Sequence, residues 1–254
     1  MINRIDQVFK KKKKILSIYF TAGFPNLDDT PKIIENLQNS GVDIIEIGLP
    51  FSDPLADGPT IQESSTSALK NGMNTSLLFK QIKNIRSKIS VPLIIMGYFN
   101  PILQYGVEKF CIDSKSSGID GLIIPDLPID IYTSSYKNIF ESQNLYNIFL
   151  ITPQTSIDRI LKIDKISKGF IYMVSDSSIT GAKNIIDNSQ KKYFLRIKKM
   201  KLNNPTIVGF GISNSETFKL ATNYSDGAII GSAFISHIKE KGIKKISSFI
   251  KSIR

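Results

Sequence analysis

Two acidic residues stand where a carboxylate is costly unless it has work to do. Glu46 interrupts the apolar run Ile44-Ile45-Glu46-Ile47-Gly48. Burial there strips water from the carboxylate. Desolvation favours the neutral form, which suits a general acid. No basic residue lies between Gly41 and Gln62, so the local sequence offers no ion-pair partner. A Lys or Arg from elsewhere would make Glu46 structural instead. Asp57 sits in Leu49–Gln62, a segment with prolines at 50, 54 and 59. Connections of this kind usually run about 2–6 residues. A longer, stiffened, acidic loop reads as functional. Asp53 and Asp57 could also serve only to cap turns before Pro54 and Gly58. For Asp53 the two readings balance. Asp57 is better placed for a site, because the chain must fold back before a helix beginning near Thr60. An acid and an ionised acceptor in different surroundings can take separate tasks in one reaction.

A second group of residues suits an anion. Gly turns occur at Thr180-Gly181-Ala182, Gly209-Phe210-Gly211-Ile212-Ser213 and Gly231-Ser232-Ala233. Glycine lets backbone N–H groups approach an oxyanion closely. Each turn alone could be a tight strand exit; their joint placement is the stronger signal. Ala233-Phe234-Ile235 could begin a short helix whose N-terminus adds to the cradle. Phe20, Tyr98, Phe170, Tyr172 and Phe210 lie at strand ends and could line an apolar ring pocket, although a core role suits each of them singly. His237, the only histidine, falls in a polar segment and reads as a helix-surface residue. Cys111, the only cysteine, reads as a helix-packing thiol and cannot form an intrachain disulfide. No Cys/His/Asp group has metal-ligand spacing, so no metal is expected.

These residues need a scaffold. Short apolar runs at Leu16–Thr21, Val42–Ile47, Leu93–Gly97, Gly121–Ile124, Asn147–Ile151, Phe170–Ser175, Ile207–Gly209 and Ala228–Ile230 read as strands buried on both faces. Helical spacing occupies Pro31–Asn39, Leu77–Ser87, Val107–Ser117, Ile131–Ser142, Ile157–Ile166, Lys191–Met200, Ser215–Ala221 and Ile243–Ile250. Capping signals precede several of them: Asp29-Thr30-Pro31, Thr155-Ser156 and Ser213-Asn214. Eight strict βα alternations predict a single-domain (β/α)8 barrel over residues 1–254, its site on the loops after the C-terminal strand ends. An open doubly wound sheet is the alternative. The formal charge is +11. The lysines are scattered, and the chain is rich in Ile, Asn and Ser, which reads as the bias of an AT-rich genome. Lys10 to Lys14 carries no interleaved aromatics and reads as a solvated face, not a nucleic-acid site. A positive field would still recruit a phosphorylated substrate. No run approaches the ~20 apolar residues of a membrane helix. The polar start Met1–Lys14 is not a secretory signal. A cytoplasmic setting is expected.

The stretch Ile44–Gln62, IIEIGLPFSDPLADGPTIQ, resembles the signature of the tryptophan synthase alpha subunit family. Tyr19-Phe20-Thr21-Ala22-Gly23, Met96-Gly97-Tyr98-Phe99-Asn100-Pro101 and Ile124-Pro125-Asp126-Leu127-Pro128 agree, so the resemblance spans essentially the whole chain. It implies a lyase that cleaves indole-3-glycerol phosphate to indole and glyceraldehyde 3-phosphate. Glu46 would protonate the indole C3 and accept the side-chain hydroxyl proton as the carbon–carbon bond breaks. Asp57 would stabilise the positive charge developing toward the ring N–H. Thr180, Gly181, Gly211, Gly231 and Ser232 would bind substrate around its phosphate; Phe20 and Tyr172 match its ring-pocket positions, and Tyr98 is expected beside them from its place at a strand end. The resemblance also implies a beta-subunit partner, an alpha2beta2 heterotetramer, and pyridoxal phosphate only in that partner. Nucleic acid, membrane and a cofactor in this chain are not expected. The long loop after the second strand, Asn100-Pro101 and the loop after the sixth strand would meet the partner. One departure stands out: Asp176-Ser177-Ser178 occupy a place where some members have Arg before Ala-Gly, so charge contacts of that loop do not transfer. Three further readings stay open: another phosphate-binding barrel, such as an indole-glycerol-phosphate synthase or a phosphoribosyl isomerase; a weakly catalytic subunit that mainly activates its partner; and a basic nucleic-acid binder.

Overall fold

The computed structural model describes residues 2–54, 57–175, 188–209 and 211–254. Nine strand segments form one parallel sheet: β1 (Ile15–Thr21), β2 (Ile44–Gly48), β3 (Leu93–Met96), β4 (Gly121–Ile123), β5 (Tyr146–Ile148), β6 (Leu150–Ile151), β7 (Ile171–Val174), β8 (Thr206–Gly209) and β9 (Gly227–Ile230). The sheet order is β5-β4-β3-β2-β1-β9-β8-β7-β6. Its two ends, β5 and β6, are one passage of chain interrupted only at Phe149. The Phe149 carbonyl accepts from Tyr172 N at 2.9 Å, which carries the pairing across the interruption. Eight passages therefore close a (β/α)8 barrel, and the open sheet is ruled out.

The strand runs read from sequence fall within a residue or two of these bounds. Val107–Ser117, Ile157–Ile166 and Ser215–Ala221 are helices as expected. Ser156 caps its helix by accepting from Arg159 N, and Asn214 forms a capping box with Thr217. At the expected start near Asp29, Asp28 is the N-cap and its side chain makes no capping bond. Ile131–Ser142 is helical from Ile129, with a π turn at Tyr132–Tyr136. The helix Arg4–Lys11 is not among the elements expected from sequence, because its few apolar residues, Ile5, Val8 and Phe9, stand among polar ones. Ile5 is fully buried there and packs with Ile15, Ile44, Ile94, Ile123 and Ile148, so it stoppers the N-terminal end of the barrel. Lys10 to Lys14 are exposed, and Lys12 reaches Asp43 Oδ1 at 2.5 Å.

Alternation divides the strand residues. Inward positions of β1 are Ile15, Ser17, Tyr19 and Thr21; Leu16, Ile18 and Phe20 pack outward against the helices. On β2 the inward set is Ile44, Glu46 and Gly48.

Three aspartates latch the N-terminal rim. Each stands one residue before its strand and accepts an N–H from the first or second residue of a neighbouring strand: Asp43 from Leu16 (2.9 Å), Asp120 from Leu93 (3.0 Å) and Asp226 from Thr206 (2.8 Å). Lys12 and Arg254 compensate the Asp43 charge; Arg4 and Arg86 compensate that of Asp120, each at 2.9 Å. The Arg86 side chain is only 10% exposed and also donates to the carbonyls of Ile89 and Val91. Removing one member of a buried pair strands the other. Asp120→Ala should lower stability by about 3–5 kcal/mol, read as a fall in the urea midpoint; a loss near zero would mean that this latch does not help to close the barrel.

Candidate active site

Glu46 is fully buried on the inward face of β2, beside Tyr19 of β1 and Ile94 of β3 in the register. Its Oε1 accepts a 2.6 Å bond from Ser17 Oγ. Its Oε2 is buried and has no partner among the described residues. Among the described residues no cation pairs with it. Burial pushes the carboxyl from its ordinary 4.5 up to about 7, and the Ser17 bond pulls the other way.

Asp57 lies where the loop turns into the helix Pro59–Lys70, at a cleft of about 480 Å³. Tyr19, Leu49, Phe51, Tyr98 and Pro125 share that lining. Tyr98 Oη donates to Asp57 Oδ2 at 3.1 Å, and the Tyr98 ring packs on Phe51 with centroids 5.4 Å apart. Burial raises the Asp57 carboxyl above its ordinary 3.8; the Tyr98 bond counters it. The two acids thus occupy different surroundings, one enclosed among apolar strands and one at an open cleft. Asp53 is exposed and bonds its neighbour Ser52, outside this cleft.

Two phenols complete the interior. Tyr172 is buried and Tyr19 half-buried at the cleft; desolvation raises both phenols well above their ordinary range, with Glu46 and Asp57 adding to the effect. A Cβ at Gly48 would stand 2.1 Å from the Tyr19 hydroxyl oxygen; a Cβ at Gly209 would stand 2.1 Å from that of Tyr172. Only glycine leaves room for the two phenols at those heights. The expectation for Tyr172 as an inward aromatic agrees with this placement. That for Phe20 does not: it faces the helix layer, one residue out of phase, and Tyr19 holds the cleft position. Along Ile15–Thr21 the polar residues fall at 17, 19 and 21, all on one face. That pattern would have selected Ser17 and Tyr19 from sequence. Phe170 lies at the closed end, against Phe9 at 5.9 Å, and lines no ring pocket.

The Gly turns diverge in what can be described. Gly211 takes φ +73 and lies after β8. Gly231 and Ser232 begin the helix Ser232–Lys241, which no side chain caps. Its first N–H groups point out of the helix toward any anion bound there. Thr180, Gly181 and Phe210, with the Asp176-Ser177-Ser178 departure, lie outside the described residues. His237 is half-buried, stacks on Phe249 and contacts the Lys245 carbonyl at 3.0 Å. Cys111 is buried in Val107–Ser117, its thiol pushed up to about 12 by burial. Among the described residues, no three His, Cys, Asp or Glu side chains converge as metal ligands. Nor is any described helix long and apolar enough to cross a membrane.

A barrel with a buried acid, a second carboxylate at its mouth and an uncapped helix start after its last strand has clear relatives. The family model described as tryptophan synthase alpha chain matches residues 5–253. The tryptophan synthase alpha chain of Flavobacterium psychrophilum is 64% identical over 252 residues, covering 99% of this chain and 100% of that protein. That of Flavobacterium johnsoniae is 63% identical, with 100% of each covered. Among solved structures, the alpha chain from Legionella pneumophila superposes with TM-score 0.89 at 32% identity, covering 100% of this chain and 96% of that one. A chain of Mycobacterium tuberculosis tryptophan synthase gives 0.90 at 30%, covering 100% and 97%. The chain therefore belongs to the tryptophan synthase alpha chain family, a carbon–carbon lyase of tryptophan biosynthesis that cleaves indole-3-glycerol phosphate to indole and glyceraldehyde 3-phosphate.

Proposed function

We propose that Glu46 and Asp57 perform this cleavage, in a single barrel domain whose active site lies on the loops after the C-terminal strand ends. The observation that carries the assignment is the buried Glu46 carboxyl, which among the described residues has one oxygen unpartnered and no cation on it. A carboxyl poised near 7 can give a proton and take one back at neutral pH. In the forward direction Glu46 delivers its proton to the indole C3. The side-chain hydroxyl then returns a proton to Glu46 as its oxygen forms the aldehyde. The carbon–carbon bond breaks, and its electron pair flows into the ring. Asp57, steadied by Tyr98, accepts the ring N–H and stabilises the positive charge that appears there between the two steps.

Tyr19 and Tyr172 fill the barrel around Glu46 and keep water from the proton transfer. Gly211, Gly231 and Ser232 hold the phosphate through backbone N–H groups, with Thr180 and Gly181 contributing from their loop. That remote anchor fixes the ring relative to the two acids. The chain itself works without a cofactor or metal; pyridoxal phosphate belongs to a beta subunit. A neighbour of known structure is the tryptophan synthase complex of Pyrococcus furiosus, with TM-score 0.87 at 33% identity, covering 95% of this chain and 98% of that one. The partnership is supported here by exposed Leu103, Ile131 and Ile157, which sit on helices that follow β3, β4 and β6, on the mouth side of the barrel. An alpha2beta2 heterotetramer in the cytoplasm, engaging neither nucleic acid nor membrane, is the assembly we infer.

Indole release from indole-3-glycerol phosphate tests the acid assignments, with and without a beta subunit. Glu46→Gln should abolish release, and Asp57→Asn should lower it by about 10²-fold or more; wild-type release should rise with the partner. Unchanged turnover in Glu46→Gln would refute the role of Glu46.

A stability measurement reads the same carboxyl without substrate. Below about pH 4.5 Glu46 is neutral in both folded and unfolded chains. Above about 7 it is charged in both, and the folded state bears the cost of burying that charge. Stability is therefore lost as pH rises between these values, by roughly 3 kcal/mol. Denaturant titrations at about pH 5 and about pH 8 should show that loss in the wild type and not in Glu46→Gln. Parallel pH slopes in the two proteins would place the Glu46 pKa elsewhere.

A further inference from the structure

We propose that Ser17 is a positioning residue for the lyase reaction: its hydroxyl fixes the Glu46 carboxyl and leaves Oε2 as the oxygen that exchanges a proton with substrate. This rests on Glu46 as the proton carrier. Ser17 and Glu46 are both fully buried, and their oxygens stand 2.6 Å apart. Around them the register places Ile44 and Ile229 beside Ser17, and Tyr19 and Ile94 beside Glu46. The isoleucines offer no polar side-chain atom and the Tyr19 hydroxyl extends to Gly48, so the serine hydroxyl is the one bond the carboxyl receives among the described residues.

A serine hydroxyl carries a single hydrogen, and it is directed at Oε1. In the neutral acid, Oε1 then keeps its carbonyl character and the proton resides on Oε2. In the anion the same bond, strengthened by the charge, offsets part of the cost of burial. The carboxyl can therefore pass between its two states without turning. Ser17 pairs with Ile44 while Glu46 pairs with Tyr19, so the serine grips from the closed side of the barrel, one residue pair below. Tyr19 on β1, Tyr172 on β7 and Asp57 after β2 are the titratable groups that act on this part of the interior. Both phenols stay neutral across the working range because burial raises them, and Asp57 is held by Tyr98.

The test follows the infrared C=O stretch of the protonated carboxyl in the full chain from about pH 5 to about pH 9. The band that disappears in Glu46→Gln identifies Glu46. Its wild-type midpoint should lie near 7. Ser17→Ala should move it up by about one pH unit and lower kcat roughly tenfold with KM little changed. Ser17→Thr, which keeps the hydroxyl, should restore both. Ser17→Cys is nearly isosteric and a much weaker donor, so it repeats the test should the alanine variant fail to fold. An unchanged midpoint in Ser17→Ala or Ser17→Cys overturns the inference, even where kcat falls, because that pattern reports packing alone. Indole release that persists in Glu46→Gln overturns the underlying acid assignment instead.

Discussion

A carboxyl enclosed by strands, with one hydrogen bond and no counter-ion among the described residues, is the constraint to which the rest of this barrel answers. Left alone, the desolvation of Glu46 would simply weaken the fold. The surrounding structure turns that liability into a poised proton. Strands on either side supply apolar neighbours that keep the acid largely neutral. Ser17 moderates the effect so that the group stays within reach of neutral pH. Two glycines leave room for bulky phenols in the barrel interior. Asp57, by contrast, is held at an open cleft by a phenol from the next strand loop. Difference of surroundings, not of residue type, separates the tasks of the two acids.

Much of this was legible in the sequence because parallel strands buried on both faces leave short apolar runs, and those runs locate every barrel strand. The Glu46 and Asp57 positions were legible for a related reason: an acid in an apolar run and a long proline-stiffened loop both violate local expectation. Faces were harder. A strand buried on both sides has no apolar–polar contrast to mark which residue points inward, so Phe20 was taken for its neighbour Tyr19. The polar alternation at 17, 19 and 21 carried that information, but weakly, because tyrosine reads as apolar. The N-terminal helix was hidden because its three packing residues, Ile5, Val8 and Phe9, stand among polar ones and run straight into the lysine run.

The register explains why the misreading of one residue matters. Side chains alternate with period two, so a shift of one position exchanges the barrel interior for the helix layer. Tyr19 can approach Gly48 only because it is on the inward face; Phe20, on the opposite face, is buried in a different core. The two hydrophobic cores, one inside the barrel and one between barrel and helices, meet only through the strands.

The rim aspartates have a consequence for how the molecule opens. Asp43, Asp120 and Asp226 tie adjacent strands together at the end away from the cleft. Displacing a connection at the mouth breaks none of these ties, so its cost is separate from the cost of parting the strands. Protection against amide exchange should therefore be graded along the barrel axis, deepest at the latched end. A ligand can then order the entrance by its own binding free energy, with the cylinder beneath it unaltered.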